Sequence, residues 1–430
     1  MSTVGSNIKA ALLVHITTLS NSFLAGLILP KFLAVAGFGY WQYFGFFAGC
    51  LELLLLGIGT GFYLCYGGFP YEKIDKSLIK YVLIKWLYAA LGISIILAWS
   101  IMLVTDDTNK RFVFSMLIIG MFVINIGTFF SYILQATNRI KAFLCALLVQ
   151  NIILILSFSF MMYLNVGDYK CYIYGFMGAH IVRGIVLLIF NKEIVFARAN
   201  KGEVCIWSIV LPGIHLMFAD YAIYLTFGIG RLFIENEWGI EVFSKFSFAM
   251  SLILLMVTFI NQIGLVLFPV LKKFRYDKIK EVISGYGKRL DIVLIMVFFL
   301  YFLARKLLLL WLPQYNDAIF YFGLLIPVCV FDGRNVMLIN PVLKAIRAEK
   351  TILYINISFL LISVFLFMTL WHLNKPVTYF CCLFAISSIC RSFIGEWCMS
   401  KLLNIRADYV SFLGKLLISG IFYMGLLEMG

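Results

Sequence analysis

Arg334, Arg391, Arg183 and Lys85 lie inside long apolar runs. A cation in such a place does one kind of chemistry: it holds an anion. Each ionisable residue in mid-span costs about 2.5–3.5 kcal/mol on insertion scales, so those present should face a wet cavity or a partner. Guanidinium suits a pyrophosphate because its planar fork offers paired donors and stays charged at any physiological pH. Arg334 follows Asp332 by two residues, a spacing that turns the two side chains to different helix faces, so a direct mutual pair is not expected. Lys31 and Arg231 stand at the outer ends of two spans, placed to meet an anion or to snorkel to the interface. For every one of these cations a structural ion pair is the competing reading.

The carboxylates and imidazoles suggest a second chemistry, the binding of a coupling ion or proton. Glu52 lies mid-span on a face shared with Gly45, Gly49 and Gly59, where another helix or a substrate can approach closely. Asp220 holds the corresponding depth in the second half, one turn before Tyr224. With Asp332 these are the cavity or coupling-ion candidates. His15 and His215 form a matched pair, and His180 precedes Arg183 by three residues on one face; each suits a proton relay or a neutral hydrogen bond between helices. Two uncharged stripes complete the set: Ser244, Ser247, Ser251, Thr258 and Asn261 in one run, and Asn125, Thr128, Tyr132 and Gln135 in another. Facing lipid they would be costly, so they glue helices or line a hydrated path.

Helices that cross a bilayer must position these groups. The chain of 430 residues is 63% hydrophobic and 13% charged, against about one-quarter charged in soluble domains. A crossing needs about 20 mostly apolar residues. Candidate spans lie near 8–30, 40–66, 80–104, 112–136, 142–164, 170–190, 205–231, 240–270, 289–312, 316–343, 351–373 and 377–400. The run 410–428 is a thirteenth crossing or a helix in the interface. Loop cations alternate in side: Lys73, Lys76 and Lys80; Arg139 and Lys141; Lys192, Arg198 and Lys201; Lys272, Lys273, Arg275, Lys278 and Lys280; Lys344, Arg347 and Lys350; Lys401, Arg406 and Lys415. The intervening loops are poor in cations and carry Asp106, Asp107, Asp168, Glu235, Glu237 and Asp317, so the amino terminus is expected in the cytoplasm. The net charge of +14 then serves topology, and nucleic acid is not invoked. The ten cysteines show no metal or redox spacing and read as small buried hydrophobes.

The two halves repeat. A shift of 200 residues lays His15 on His215, Lys31 on Arg231 and Gly39 on Gly239; a slightly larger one lays Asn125 on Arg334, Gln135-Ala136 on Lys344-Ala345, and Arg183 on Arg391. Six spans separate equivalent points, so the repeat is parallel. The expected fold is an all-α polytopic membrane protein of about 12 transmembrane helices. These form two pseudo-symmetric six-helix lobes around a central cavity, residues 1–200 and 201–404, with 405–430 as an additional short apolar helix.

Leu29-Pro30-Lys31-Phe32, Gly37-Phe38-Gly39-Tyr40-Trp41 and Leu56-Gly57-Ile58-Gly59 resemble the start of bacterial O-antigen and capsule repeat-unit flippases, often called Wzx. In that family an apolar first helix leads through a short loop with a Gly-Tyr pair into a Gly-rich second helix. Length and the six-plus-six repeat also resemble the wider superfamily of multidrug extruders and the lipid II flippase. The resemblance implies alternating-access transport of an undecaprenyl-pyrophosphate-linked oligosaccharide to the periplasmic leaflet of the bacterial inner membrane. Its implied partners are the lipid-linked oligosaccharide, membrane lipid, a polysaccharide polymerase and a chain-length regulator. Neither nucleophile elbow, P-loop nor metal cluster appears in the sequence, so no enzyme and no cofactor is expected. Two alternatives stay open: a cation-coupled multidrug extruder of the same architecture, for which Glu52 and Asp220 would serve, and an O-antigen polymerase, which tends to carry a large periplasmic loop absent from this chain.

Overall fold

The computed structural model describes residues 2–201, 206–271, 276–346, 348–405 and 409–428; the side chains of 2–8, 104, 219–220, 261–271, 276–282, 284 and 349 also fall outside the described set. Asp220 and Asn261 are therefore outside the described residues, as are the loop cations Lys272, Lys273, Arg275, Lys278, Lys280, Arg347 and Arg406.

The described residues form helices and no strands. Two compact units follow each other, Met1–Asp220 and Tyr221–Gly430. The first contains α1 (Ser2–Phe23), α2 (Val35–Cys50), α3 (Ile58–Cys65), α4 (Lys76–Val104), α5 (Thr108–Ala136), α6 (Ile140–Tyr163), α7 (Tyr169–Phe190) and the short α8 (Lys192–Phe196). Then come α9 (Ile206–Leu271), α10 (Tyr276–Trp311), α11 (Asn316–Arg334), α12 (Asn340–Ala345), α13 (Glu349–His372), α14 (Val377–Leu403) and α15 (Tyr409–Glu428). Eleven helices are long and apolar enough to cross a membrane, twelve if a bent pair counts as one span. Their outer faces are hydrocarbon: Ile95, Trp99, Met102 and Leu103 of α4 are each two-thirds or more exposed, as a lipid solvent allows. The carboxyl-terminal helix, left open by the sequence, has 20 mostly apolar residues, enough at 1.5 Å per residue to cross about 30 Å of hydrocarbon.

Polar side chains start three of these helices. Asp75, Asp107 and Asp168 accept hydrogen bonds from the backbone N–H groups of Leu78, Asn109 and Lys170, satisfying donors that helix geometry leaves open. Elsewhere backbone is freed on purpose. The second span, expected as one run over 40–66, bends by 54° between Val35–Leu55 and Ile58–Cys65. Leu56 and Gly57 take positive φ there, 54° and 71°. Loose carbonyls inside a membrane are costly, and neighbours supply donors: Asn125 Nδ2 reaches Leu51 O and Trp86 Nε1 reaches Leu54 O, both at 2.9 Å. The far side of the break is clamped by the start of α9. Thr60 Oγ1 lies 2.9 Å from Gly213 O and 3.0 Å from Gly57 O. A Cβ on Gly213 would stand 2.0 Å from Gly57 O, so glycine alone permits this backbone approach.

The Gly-Tyr-Trp motif closes one end of the first unit. Tyr40 donates to Asp107 Oδ2 at 2.6 Å and stacks on Tyr169 at 5.3 Å, and Trp41 meets Phe158 edge-on at 5.4 Å. Cations knit the other end around α8. Lys76 pairs with Glu193, Lys80 Nζ reaches Val195 O at 2.5 Å, and Arg139 Nη1 reaches Phe190 O at 2.9 Å while lying over the Tyr71 ring.

In the second unit the run Pro313–Ala345 is 94% buried in its most apolar window, against 28% for Gly285–Trp311 and 22% for Lys350–His372. The helix α11 is thus the centre of that unit, and its ionisable residues are kept from lipid. A π-helical turn, Asn335–Ile339, links it to α12. The expected boundary between the runs 205–231 and 240–270 is a break within α9 at Gly239, whose φ of 77° interrupts the helix.

Gly213→Ala should destabilise the first unit by at least about 1–3 kcal/mol, the usual cost of forced overpacking, read as a lower unfolding temperature in detergent. Asp107 gives a pH signature. Burial works against its charge, yet the Tyr40 hydroxyl and the Asn109 N–H hold its carboxyl below the ordinary range. With the folded value depressed, the stabilisation is complete above about pH 4, the ordinary aspartate value, and is lost as pH falls through the lower folded one. Tyr40→Phe should flatten this acid limb of the unfolding-temperature profile.

Candidate functional site

In the first unit a polar chain crosses three helices. Arg183 of α7 donates through Nη2 to Ser131 Oγ of α5 at 2.7 Å and through Nη1 to Gln150 Oε1 of α6 at 3.2 Å. Arginine can only donate, so the Gln150 amide must turn its oxygen to Arg183 and its nitrogen to His180, 3.0 Å away. His180 Nε2 then accepts, while Nδ1 donates to Phe176 O at 2.9 Å. The assignment follows from donor logic and makes the imidazole neutral. His180 is thereby a hydrogen-bonded helix tie.

Glu52 sits on the 3-10 turn Leu51–Leu55 before the helix break and accepts from the Tyr132 hydroxyl at 2.6 Å. Of the polar stripe on α5, Asn125 and Tyr132 therefore brace this turn, and Gln135 bonds within its own helix, to Ser131 O at 3.3 Å.

The second unit has a denser arrangement. Arg334 grips Glu396 of α14 with both ends of its fork, Nε to Oε2 at 2.7 Å and Nη2 to Oε1 at 2.5 Å, and reaches Asp291 of α10 through Nη1 at 2.5 Å. Lys415 of α15, wholly buried, meets the other oxygen of Asp291 at 2.9 Å, and Ser411 donates to the same carboxylate. Arg391 of α14 pairs with Asp332 at 2.9 Å and with Asn356 of α13 at 3.2 Å, its guanidinium over the Phe359 ring. Asn335 adds a bond to Asp332 at 3.3 Å. Three cations meet three carboxylates and five helices are joined. Lys415, expected among the cytoplasmic loop cations, is instead a member of this buried cluster, because α15 carries it into contact with Asp291.

Arg183 of α7 is bound to the amide of Gln150 in α6, and Arg391 of α14 to the amide of Asn356 in α13, each at 3.2 Å.

Arg231 is different. It is 7% exposed, its Nε is fully buried, and among the described residues it makes no hydrogen bond or ion pair. The other candidates are scattered. Lys31 is exposed at the end of the 3-10 turn Leu29–Lys31, and Lys85 is exposed with its ammonium over Tyr81 at 5.6 Å. His15 and His215 are both exposed; His215 Nδ1 bonds to Leu211 O of its own helix, and neither histidine joins the polar chains.

The partners Asp291, Glu396, Lys415 and Gln150 were missed by sequence reasoning. Residue type and depth alone do not single them out, since Arg305 and Lys306 lie deeper in the run 289–312 than Asp291 does.

Arg391→Met should leave Asp332 as an uncompensated buried charge at a cost of about 3–5 kcal/mol, and Arg391→Met with Asp332→Asn should recover most of it. Unfolding temperatures of the two variants test this.

No family model matches the chain, and no curated relative matches it. Solved structures do match in fold. An inward-facing multidrug resistance MATE family transporter of the MOP superfamily is similar with a TM-score of 0.66 and 13% identity, over 90% of this chain and 94% of that one. The lipid II flippase MurJ in an inward closed conformation follows at 0.62 and 13%, over 98% of each chain. A MOP superfamily transporter from Pyrococcus furiosus, described as having a binding pocket of reversed polarity, matches at 0.51 and 12%, over 93% and 96%. The fold of this chain is that of MATE transporters and of MurJ.

Proposed function

We propose that the chain is a flippase that moves an undecaprenyl-pyrophosphate-linked oligosaccharide from the cytoplasmic to the periplasmic leaflet of a bacterial inner membrane, for O-antigen or capsule assembly. Its amino terminus lies in the cytoplasm, and two six-helix lobes give alternating access. A polysaccharide polymerase and a chain-length regulator would take over the product. The single observation that carries this reading is Arg231, a cation nine-tenths buried whose Nε meets no hydrogen-bond partner among the described residues. Burying such a group is costly unless an anion arrives to meet it. Arg334 and Arg391 are already matched by carboxylates, so the weight of anion recognition shifts to Arg231, with Arg183 held by neutral groups in the first unit.

The membrane potential assists in this direction. Moving negative charge outward against an inside-negative potential is favourable by about 2.3 kcal/mol per charge per 100 mV. The binding cations must hold the pyrophosphate without trapping it. A cation-coupled drug extruder remains a second reading on one observation, the Glu52 carboxylate beside the broken helix, but a buried guanidinium repels cationic drugs.

Hydrogen bonds to charged groups are worth about 1.5–3 kcal/mol. Arg231→Gln should therefore weaken binding of undecaprenyl pyrophosphate to purified protein by about tenfold or more, and Arg231→Lys should retain an intermediate affinity. Unchanged lipid binding in Arg231→Gln, together with altered efflux of cationic dyes, would transfer the assignment to the extruder.

A further inference from the structure

The second unit holds a pocket of a different character from its ion cluster. A cavity of about 340 Å3 opens between the last turns of α10, the first turns of α11 and the first turn of α14. Arg305, Asn316, Asp317, Phe320, Tyr321 and Thr378 line it. Among the described residues the Asn316 amide, the Tyr321 hydroxyl and the Thr378 hydroxyl have no hydrogen-bond partner in the protein. Asp317 gives one oxygen to Lys245 at 2.6 Å and keeps the other for a ligand. The wall behind them is fixed, because Tyr301 is buried and donates to Ile319 O at 3.3 Å. The first unit offers a contrast, a cavity of about 520 Å3 lined mainly by apolar side chains such as Phe47, Leu54, Leu97, Phe114 and Met121, with Ser100 and Thr105 as its hydroxyls.

From this we infer that the pocket at the α10–α11–α14 end of the second unit is a saccharide-binding site. Sugar hydroxyls are each donor and acceptor at once, and here an amide, two hydroxyls and a free carboxylate oxygen converge within one small volume. The C–H face of a pyranose packs on a flat apolar plate, which Phe320 and Tyr321 supply beside those polar groups. Charge is balanced at one edge of the site, where Lys245 pairs with Asp317. On the orientation proposed above, this end lies on the outer face of the membrane. On the reading of the chain as an exporter of lipid-linked saccharide, the pocket takes the sugar of the substrate once its head has crossed.

The test uses the full chain in lipid nanodiscs, with wild type beside the double variant Asn316→Ala, Thr378→Val. Methyl glycosides of glucose, galactose, rhamnose, N-acetylglucosamine and glucuronate are screened by saturation-transfer NMR at millimolar concentration. At least one should bind wild type, and losing two hydrogen bonds should weaken it by about tenfold in the variant. Undecaprenyl-pyrophosphoryl N-acetylglucosamine distinguishes a lipid-linked sugar from a free one: the variant should lose its preference over bare undecaprenyl pyrophosphate. Equal binding of the bare lipid by both proteins shows that the variant is folded; if neither binds it, matching unfolding temperatures serve. The proposal is overturned if no glycoside binds wild type, or if binding survives in the variant. Failure of the flippase reading is separate, since it shows as absent binding of the bare lipid and of its dependence on Arg231.

Discussion

Arg334, Arg391 and Lys415 carry three positive charges into helices whose outer faces are hydrocarbon, and the second unit is compatible with that only because Asp291, Asp332 and Glu396 meet them. In a low-dielectric interior one unmatched charge costs several kcal/mol, and a matched set becomes a constraint on geometry. Each carboxylate and each cation comes from a helix that must lie at one depth and one rotation to make the pair. The cluster thus sets how α10, α11, α13, α14 and α15 stand against one another. It also explains why α11 can be interrupted by a π-helical turn without loosening the unit: the residue just before that turn is Arg334, held by two carboxylates.

The first unit meets the same constraint with fewer charges. Arg183, Gln150, His180 and Ser131 form a chain in which every orientation follows from the single fact that arginine donates. Glu52 stands at the broken second span, where Asn125 and Trp86 satisfy the carbonyls that the break releases. Against both arrangements Arg231 stands out, since the rule obeyed by every other buried cation here is left for something outside the described residues to complete. That asymmetry is the physical basis for assigning an anionic substrate.

Much of the fold was legible in the sequence, because apolar run length reports directly on membrane crossing, and α4 to α7 lie close to where the runs put them. The break at Leu56–Gly57 was not legible as a break: Glycine-rich helices are common in membranes, and only the backbone contact with Gly213 shows why glycine is needed. Lys415 was misread because a cation near the start of a short apolar run looks like a loop residue until its partner Asp291, 124 positions earlier, is placed beside it. The candidate cations were found by type and depth. Which of them are matched by carboxylates depends on pairings across distant helices, and a single sequence carries no record of those.

The proposed transported species is an anionic lipid carrying sugar. The most direct measurement is the leaflet in which lipid-linked saccharide resides in cells lacking this protein, read by its accessibility to a membrane-impermeant probe added outside. Single repeat units held on the cytoplasmic leaflet, and released by restoring the chain, are the predicted result. Lipid-linked saccharide that reaches the outer leaflet normally without the protein would contradict it.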